Sequence, residues 1–262
     1  MRFFDTHAHY DDPKYEVEFP GGAEGAITQS REAGVERILC AGTRPETNAS
    51  TLKLAEEHDF IYAAVGIHPS DIRFFDSADD GALLEETEKL LSHPKVAALG
   101  EIGLDYHYDG SDRKRQISFF DSQMELAAKY SLPVVIHDRE AHGDSFDTVR
   151  RHPEVKGVFH CFSGSAEMAQ QLVRMGYFIS FGGTVTFKNA KEVKEVAAIV
   201  PDDMMLIETD APYLAPSPHR GEINLSAYLP FVVNALAEIR GTTPEAVAEQ
   251  TYENAVRLFK TE

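Results

Sequence analysis

Short apolar runs alternate with longer amphipathic stretches from one end of the chain to the other. The runs Arg2–Phe4, Arg37–Ala41, Ile61–Val65, Val96–Leu99, Val134–Ile136, Gly157–Phe159, Phe178–Ser180 and Met204–Ile207 have the length and apolar density of buried parallel strands. Between them, Glu46–His58, Leu83–Ser92, Asp112–Tyr130, Ala166–Met175 and Glu192–Ile199 read as helices. Within Asp112–Tyr130, Ile117, Phe120, Met124 and Ala127 recur at steps of three and four, which gathers them on one helix face. Leu225–Ile239 and Pro244–Phe259 add helices at the C-terminal end. Eight strand–helix units without a linker or low-complexity segment predict an α/β fold, a (β/α)8 TIM barrel, as a single domain over residues 1–262 with additional C-terminal helices. A doubly wound open sheet is the alternative that the same alternation permits.

Composition narrows the class. The chain has 262 residues, 43% of them hydrophobic and 26% charged, in the range of globular domains. No apolar run approaches the roughly 20 residues of a membrane helix. Asp5, His7 and His9 interrupt any signal-peptide pattern, and two cysteines cannot build a disulfide framework, so a cytoplasmic protein is expected. Cys40 and Cys161 read first as small core residues. A formal charge of −18 argues against non-specific coating of nucleic acid, which depends on Lys and Arg neutralising phosphates. It leaves room for an enzyme that grips a few phosphates locally.

Barrel enzymes carry their chemistry at the C-terminal ends of the strands, so the polar residues directly after each apolar run are the ones to inspect. Asp5-Thr6-His7-Ala8-His9 follows the first run, and alternate residues of a strand project to the same side. His7 and His9 therefore suit a transition metal, although such a pair alone also suits packing. Further along come His68, Glu101 with Asp105, His137 with Asp138, His160, and Glu208-Thr209-Asp210. A single strand-end histidine is ordinarily a hydrogen-bonded core or loop residue, and a single carboxylate a helix cap or turn former. Five of the 11 histidines at predicted strand exits, with carboxylates at two more, favour a metal site over that many independent coincidences.

The segments Asp5–His9, Gly66–Pro69, Gly100–Asp105, Pro133–Asp138, His160–Gly164, Thr184–Ala190, Glu208–Ala215 and Asn254–Phe259, in this order, resemble the TatD family of metal-dependent hydrolases, within the amidohydrolase-like barrels. The resemblance implies two divalent cations (Mg, Mn or Zn) held by His7, His9, Glu101, His137, His160 and Asp210. It places Glu101 between the ions, His7, His9 and Asp210 on one, and His137 and His160 on the other. It further implies a phosphodiesterase, a 3′-to-5′ deoxyribonuclease on short single-stranded DNA or 3′ ends, using water activated by the metal pair. In that scheme Asp210 orients the water and accepts its proton while Glu101 holds the metals.

His68, Lys188 and Arg220 are the candidate phosphate holders, and Asp105 either supports a ligand histidine or touches substrate. Arg113-Lys114-Arg115 reads as the solvated start of a helix. Tyr10, Tyr106, Tyr108, Phe162 and Phe187 are the aromatics that could stack on bases if they line the rim, and otherwise are packing residues. The chain departs from the family pattern at Pro218-His219-Arg220-Gly221-Glu222-Ile223, where an acid and an isoleucine replace basic character. Two other functions remain open. The same centre could hydrolyse another ester or amide, such as a mischarged D-aminoacyl-tRNA, or the metals could stabilise a non-catalytic scaffold. No membrane association is expected, and the sequence points to no obligate protein partner.

Overall fold

The computed structural model of the protein describes residues 1–108 and 112–261. Eight parallel strands, β1 (Phe3–Ala8), β2 (Val35–Ala41), β3 (Ile61–Val65), β4 (Val96–Asp105), β5 (Val134–Arg139), β6 (Gly157–Phe159), β7 (Phe178–Phe181) and β8 (Met205–Ile207), pair in sequence order. The sheet closes on itself through a parallel bridge from Ala8 to Ala211, with Asp210 N–H donating to His7 O at 2.9 Å and His9 N–H to Ala211 O at 2.7 Å. This is the (β/α)8 barrel that the alternating pattern predicts.

The helices are α1 (Lys14–Glu18), α2 (Gly22–Glu32), α3 (Pro45–Glu57), α4 (Asp80–Leu90), α5 (Arg113–Tyr130), α6 (His142–Arg151), α7 (Ala166–Arg174), α8 (Lys191–Ile199), α9 (Leu229–Arg240) and α10 (Pro244–Phe259). None is long and apolar enough to cross a membrane. Period-two alternation sorts the strand residues into two layers. One face, including Val35, Ile38, Ile61, Val134, Ile136 and Ile179, packs under the helices. The other, including Phe4, Leu39, Ala64, Val135, Val158, Phe178 and Leu206, fills the barrel interior together with Tyr252, Ala255, Leu258 and Phe259 of α10.

The interior face explains how the strands aim their polar ends. Val135, Val158 and Leu206 point inward, so two residues further on His137, His160 and Glu208 share that face. Glu101 would fall on the opposite face in a regular strand. The β4–β5 register, however, shifts between Leu99 and Ile102, and a comparable shift lies between Asp5 and Ala8 on β1. Such irregularities re-aim side chains, and here they bracket Glu101 and His7.

Three strands run further than their apolar segments suggest. β1, β4 and β5 continue through His7, Asp105 and Arg139, because their ladders extend past the last apolar residue. Gly103, at φ +131°, lets β4 pass the His137 carbonyl, which a Cβ there would approach to 2.0 Å. Arg115 differs from the solvated reading: it is half-buried, its Nε donates to both Asp80 oxygens at 3.1 Å and its Nη1 to Phe75 O at 3.0 Å. Arg113 and Lys114 are exposed.

Candidate metal centre

At the C-terminal rim, Glu101 is 3% exposed and sits among imidazoles from four strands or strand exits. Its two oxygens face different partners. Oε1 lies 2.8 Å from His137 Nδ1, 2.9 Å from His160 Nε2 and 3.3 Å from His68 Nε2. Oε2 lies 3.4 Å from His7 Nε2 and 3.6 Å from His9 Nε2. Asp210 Oδ1 completes the second side, 3.6 Å from His7 Nε2 and 3.5 Å from His9 Nε2.

Three overlapping sets have donor atoms within 4.8 Å of one another: His7, His160 and Asp210; His7, His9 and Glu101; and His68, Glu101 and His137. Each contains imidazole nitrogen and carboxylate oxygen, the donors that divalent ions of the magnesium-to-zinc range accept. His7 Nε2 and His9 Nε2 are 3.0 Å apart, and His137 Nδ1 and His160 Nε2 3.1 Å apart. Ring nitrogens facing each other this closely around a carboxylate need positive charge between them, as protons or as metal. The donor set therefore fits a divalent metal.

Without metal, protons take that role. Burial pushes the Glu101 carboxyl up, but His68, His160, His7 and His137 outweigh it and hold it well below the usual carboxylate range. For Asp210 burial likewise acts upward and is outweighed by His9, His7 and His160, leaving it lowered. Burial lowers His9, but the Asp210 hydrogen bond and the Glu101 charge raise it to about 9. His160 ends well above its ordinary value, with Glu101 and Glu208 overcoming burial. His7 goes the other way, held low by burial and by the charge of His160.

A further layer of carboxylates and carbonyls holds the rings. His9 Nδ1 is 2.8 Å from Ala41 O, and His137 Nε2 is 3.3 Å from Asp105 Oδ2. Asp105 is itself fixed by donation from Ser70 Oγ at 2.9 Å and His107 N–H at 3.0 Å. Asp5 accepts from His7 N–H at 3.3 Å, Thr209 N–H at 3.0 Å, and the hydroxyls of Thr209 and Ser226 at 2.5 Å each. Its full burial raises its pKa to about 7. Glu208, at the β8 exit and without a role in the sequence pattern, is fully buried, accepts from Cys161 N–H at 2.7 Å and lies 3.4 Å from His160 Nδ1. Its signal was the period-two step from Leu206.

Four buried amides also escaped notice. Asn48 brackets Gly66, Gln123 brackets Ile67, Gln116 brackets Asp105, and Asn224 donates to Thr209 O and Tyr213 O. Each satisfies backbone groups at or beyond the C-terminal ends of the strands.

A cavity of about 940 Å³ opens over the cluster, lined by His9, His68, Glu101, Asp105, His137, His160 and Asp210. Its arginines are Arg44 at the start of α3, Arg73 on a single helical turn and Arg139 at the end of β5, and none carries a periodic signal. Lys188 and Arg220 are not among its lining residues. They line a separate cavity of about 610 Å³, where the Arg220 guanidinium lies 4.2 Å from the Phe187 ring centre. Cys161, expected in the core, lines the main cavity at φ +40°, whereas Cys40 is buried. Of the candidate stacking aromatics, Tyr10 and Phe162 are buried and Tyr108 lines the main cavity. Tyr106 is half-buried, its hydroxyl donating to Asp144 at 2.7 Å.

A rosette of histidines and carboxylates at the C-terminal rim of a (β/α)8 barrel defines the class, a metal-dependent hydrolase. The family model described as "TatD related DNase" matches residues 4–260. The chain is 42% identical over 259 residues to the uncharacterized metal-dependent hydrolase YabD of Bacillus subtilis, with 98% of each chain covered. It is 36% identical over 260 residues to the uncharacterized metal-dependent hydrolase YjjV of Escherichia coli K12, again with 98% of each covered. The crystal structure of YjjV, a TatD homologue, shares the fold with a TM-score of 0.91 at 35% identity, over 99% of this chain and 98% of that one. The chain belongs to the TatD family.

Proposed function

We propose that the protein is a phosphodiesterase that uses two divalent cations to remove nucleotides from the 3′ end of single-stranded DNA. The observation that carries this reading is the division of Glu101, one oxygen toward His137, His160 and His68 and the other toward His7 and His9. A carboxylate so shared would serve two divalent cations at once. The description of its family as DNase-related supports a nucleic-acid substrate, as do guanidinium groups in the cavity of a chain carrying −18.

His7, His9 and Asp210 would hold one cation and His137 and His160 the other, with Glu101 between them. His68 is close enough to Glu101 Oε1 to join the second group or to contact a phosphate. Bound there, divalent cations lower the pKa of water and offset the charge that develops on phosphoryl oxygens. Asp210, 16% exposed at its side chain and lining the cavity, would orient the attacking water and take its proton. Asp105 keeps His137 oriented from behind, and Glu208 does the same for His160.

The test is a side-by-side assay of metal-loaded protein on 3′-labelled single-stranded DNA and on aminoacyl esters. Stepwise loss of nucleotides without ester turnover supports the reading. Ester turnover without nucleotide release would move the assignment to the esterase or deacylase alternative.

A further inference from the structure

The mouth of the main cavity gathers two arginines about one aromatic ring. On the side of the β1 exit it presents Asp11 and Asp12. On the side of the β3, β4 and β5 exits it presents Arg73, Tyr108 and Arg139 together with Asp71, Asp105 and Asp138. The Arg73 guanidinium lies 5.2 Å and that of Arg139 5.7 Å from the Tyr108 ring centre, and Arg73 also lies 4.9 Å from the ring of Phe74. Tyr108 is 45% exposed and Phe74 62% exposed. Among the described residues neither arginine lies within ion-pair distance of a carboxylate, although the chain carries 43 acids against 25 bases. Two arginines brought to one ring, with no carboxylate partner among the described residues, repel each other unless an anion joins them.

The backbone beneath is firmly held. β4 and β5 stay paired through Asp105 and Arg139, Tyr106 N–H donates to Arg139 O at 2.9 Å, and His107 Nδ1 lies 2.6 Å from Glu140 Oε1. Arg73 rides on a single helical turn anchored by buried Ile72, which packs in a cluster with Ile67, Leu83 and Phe119.

We infer that Arg73, Tyr108 and Arg139 form a second-nucleotide subsite, with the aromatic face stacking a base and the guanidinium groups taking the phosphates that flank it. This deepens, and rests on, the reading of the centre as a phosphodiesterase for DNA. It specifies the substrate class as a strand with at least one phosphodiester beyond the one cleaved, lying toward the β3–β5 side of the rim. Base stacking on an aromatic face tolerates any sequence, and arginine binds phosphate through paired donors. Short, local contact of this kind is compatible with a strongly acidic protein.

The test compares kcat/KM on an oligodeoxynucleotide with kcat/KM on bis(p-nitrophenyl) phosphate, a diester with no second nucleotide, using metal-saturated protein. In the double variant Arg73→Ala/Arg139→Ala, the loss on the strand should exceed the loss on the small diester by about tenfold or more. The salt dependence of strand binding should flatten by about 0.7 for each phosphate contact removed. Tyr108→Ala should show the same selective loss and Tyr108→Phe should restore most of it. Lys53→Ala, on the exposed face of α3, controls for the loss of a positive charge. Equal losses on both substrates, or an unchanged salt dependence, overturn the subsite and leave the phosphodiesterase reading standing. Wild-type protein that cleaves neither substrate overturns both.

Discussion

The carboxylate of Glu208 lies 3.4 Å from His160 Nδ1, behind the ring whose Nε2 stands 2.9 Å from Glu101. A histidine backed by a carboxylate is oriented and made more basic toward whatever its other nitrogen binds. The same Glu208 oxygen accepts the Cys161 amide at 2.7 Å, tying the β6 exit to the β8 exit. Glu208→Gln keeps the size and the hydrogen-bond acceptor but removes the charge. Metal affinity measured by calorimetry should fall about 10- to 100-fold, with the fold unchanged by circular dichroism. An unaltered affinity would limit Glu208 to a structural role.

Metal uptake should release protons. In the metal-free protein Asp210 and Glu101 keep His9 charged up to a pKa of about 9, and a metal requires its neutral ring. Apparent affinity should therefore rise with pH, with the His9 share of that rise ending above about 9. Calorimetric titrations near neutrality, in buffers of different ionisation enthalpy, should report net proton release. Zero release would contradict the charge state assigned to His9.

Asn48 bears on stability more than on chemistry. Its amide pairs with both backbone groups of Gly66, at 3.0 and 3.1 Å, just past the end of β3. Asn48→Ala leaves that buried donor and acceptor unpaired, at about 1–3 kcal/mol for each group left unsatisfied. Chemical denaturation should show a loss of about 2–6 kcal/mol for the two groups together, with a smaller loss of activity through displacement of His68. A loss below about 0.5 kcal/mol would mean that water replaces the amide.

The barrel was legible because eight apolar runs have the spacing of buried parallel strands, and nothing in the chain competes with that pattern. The convergence of His7, His9, Glu101, His137, His160 and Asp210 was legible because strand ends of one barrel share a rim. Less was visible where tertiary pairing governs position. Strands β1, β4 and β5 outrun their apolar segments, and the inward turn of Glu101 depends on a ladder shift that no local residue pattern announces. Helix α6 has few apolar residues, with Ser145, Thr148 and Val149 as its buried positions, and escaped the apolar periodicity. Arg44, Arg73 and Arg139 look like any surface cation in sequence, whereas the conspicuous Lys188 and Arg220 lie along a different cavity.

The central claim is that Glu101 holds a metal pair that cleaves phosphodiesters. The most direct measurement is turnover of 3′-labelled single-stranded DNA by Glu101→Ala beside the wild type, both with excess metal and with bound metal counted. The expected result is stepwise nucleotide release by the wild type and a fall of at least about a thousandfold in the variant, since several imidazoles lose the carboxylate that organises them. Wild-type turnover by a fully metal-loaded Glu101→Ala protein would contradict it.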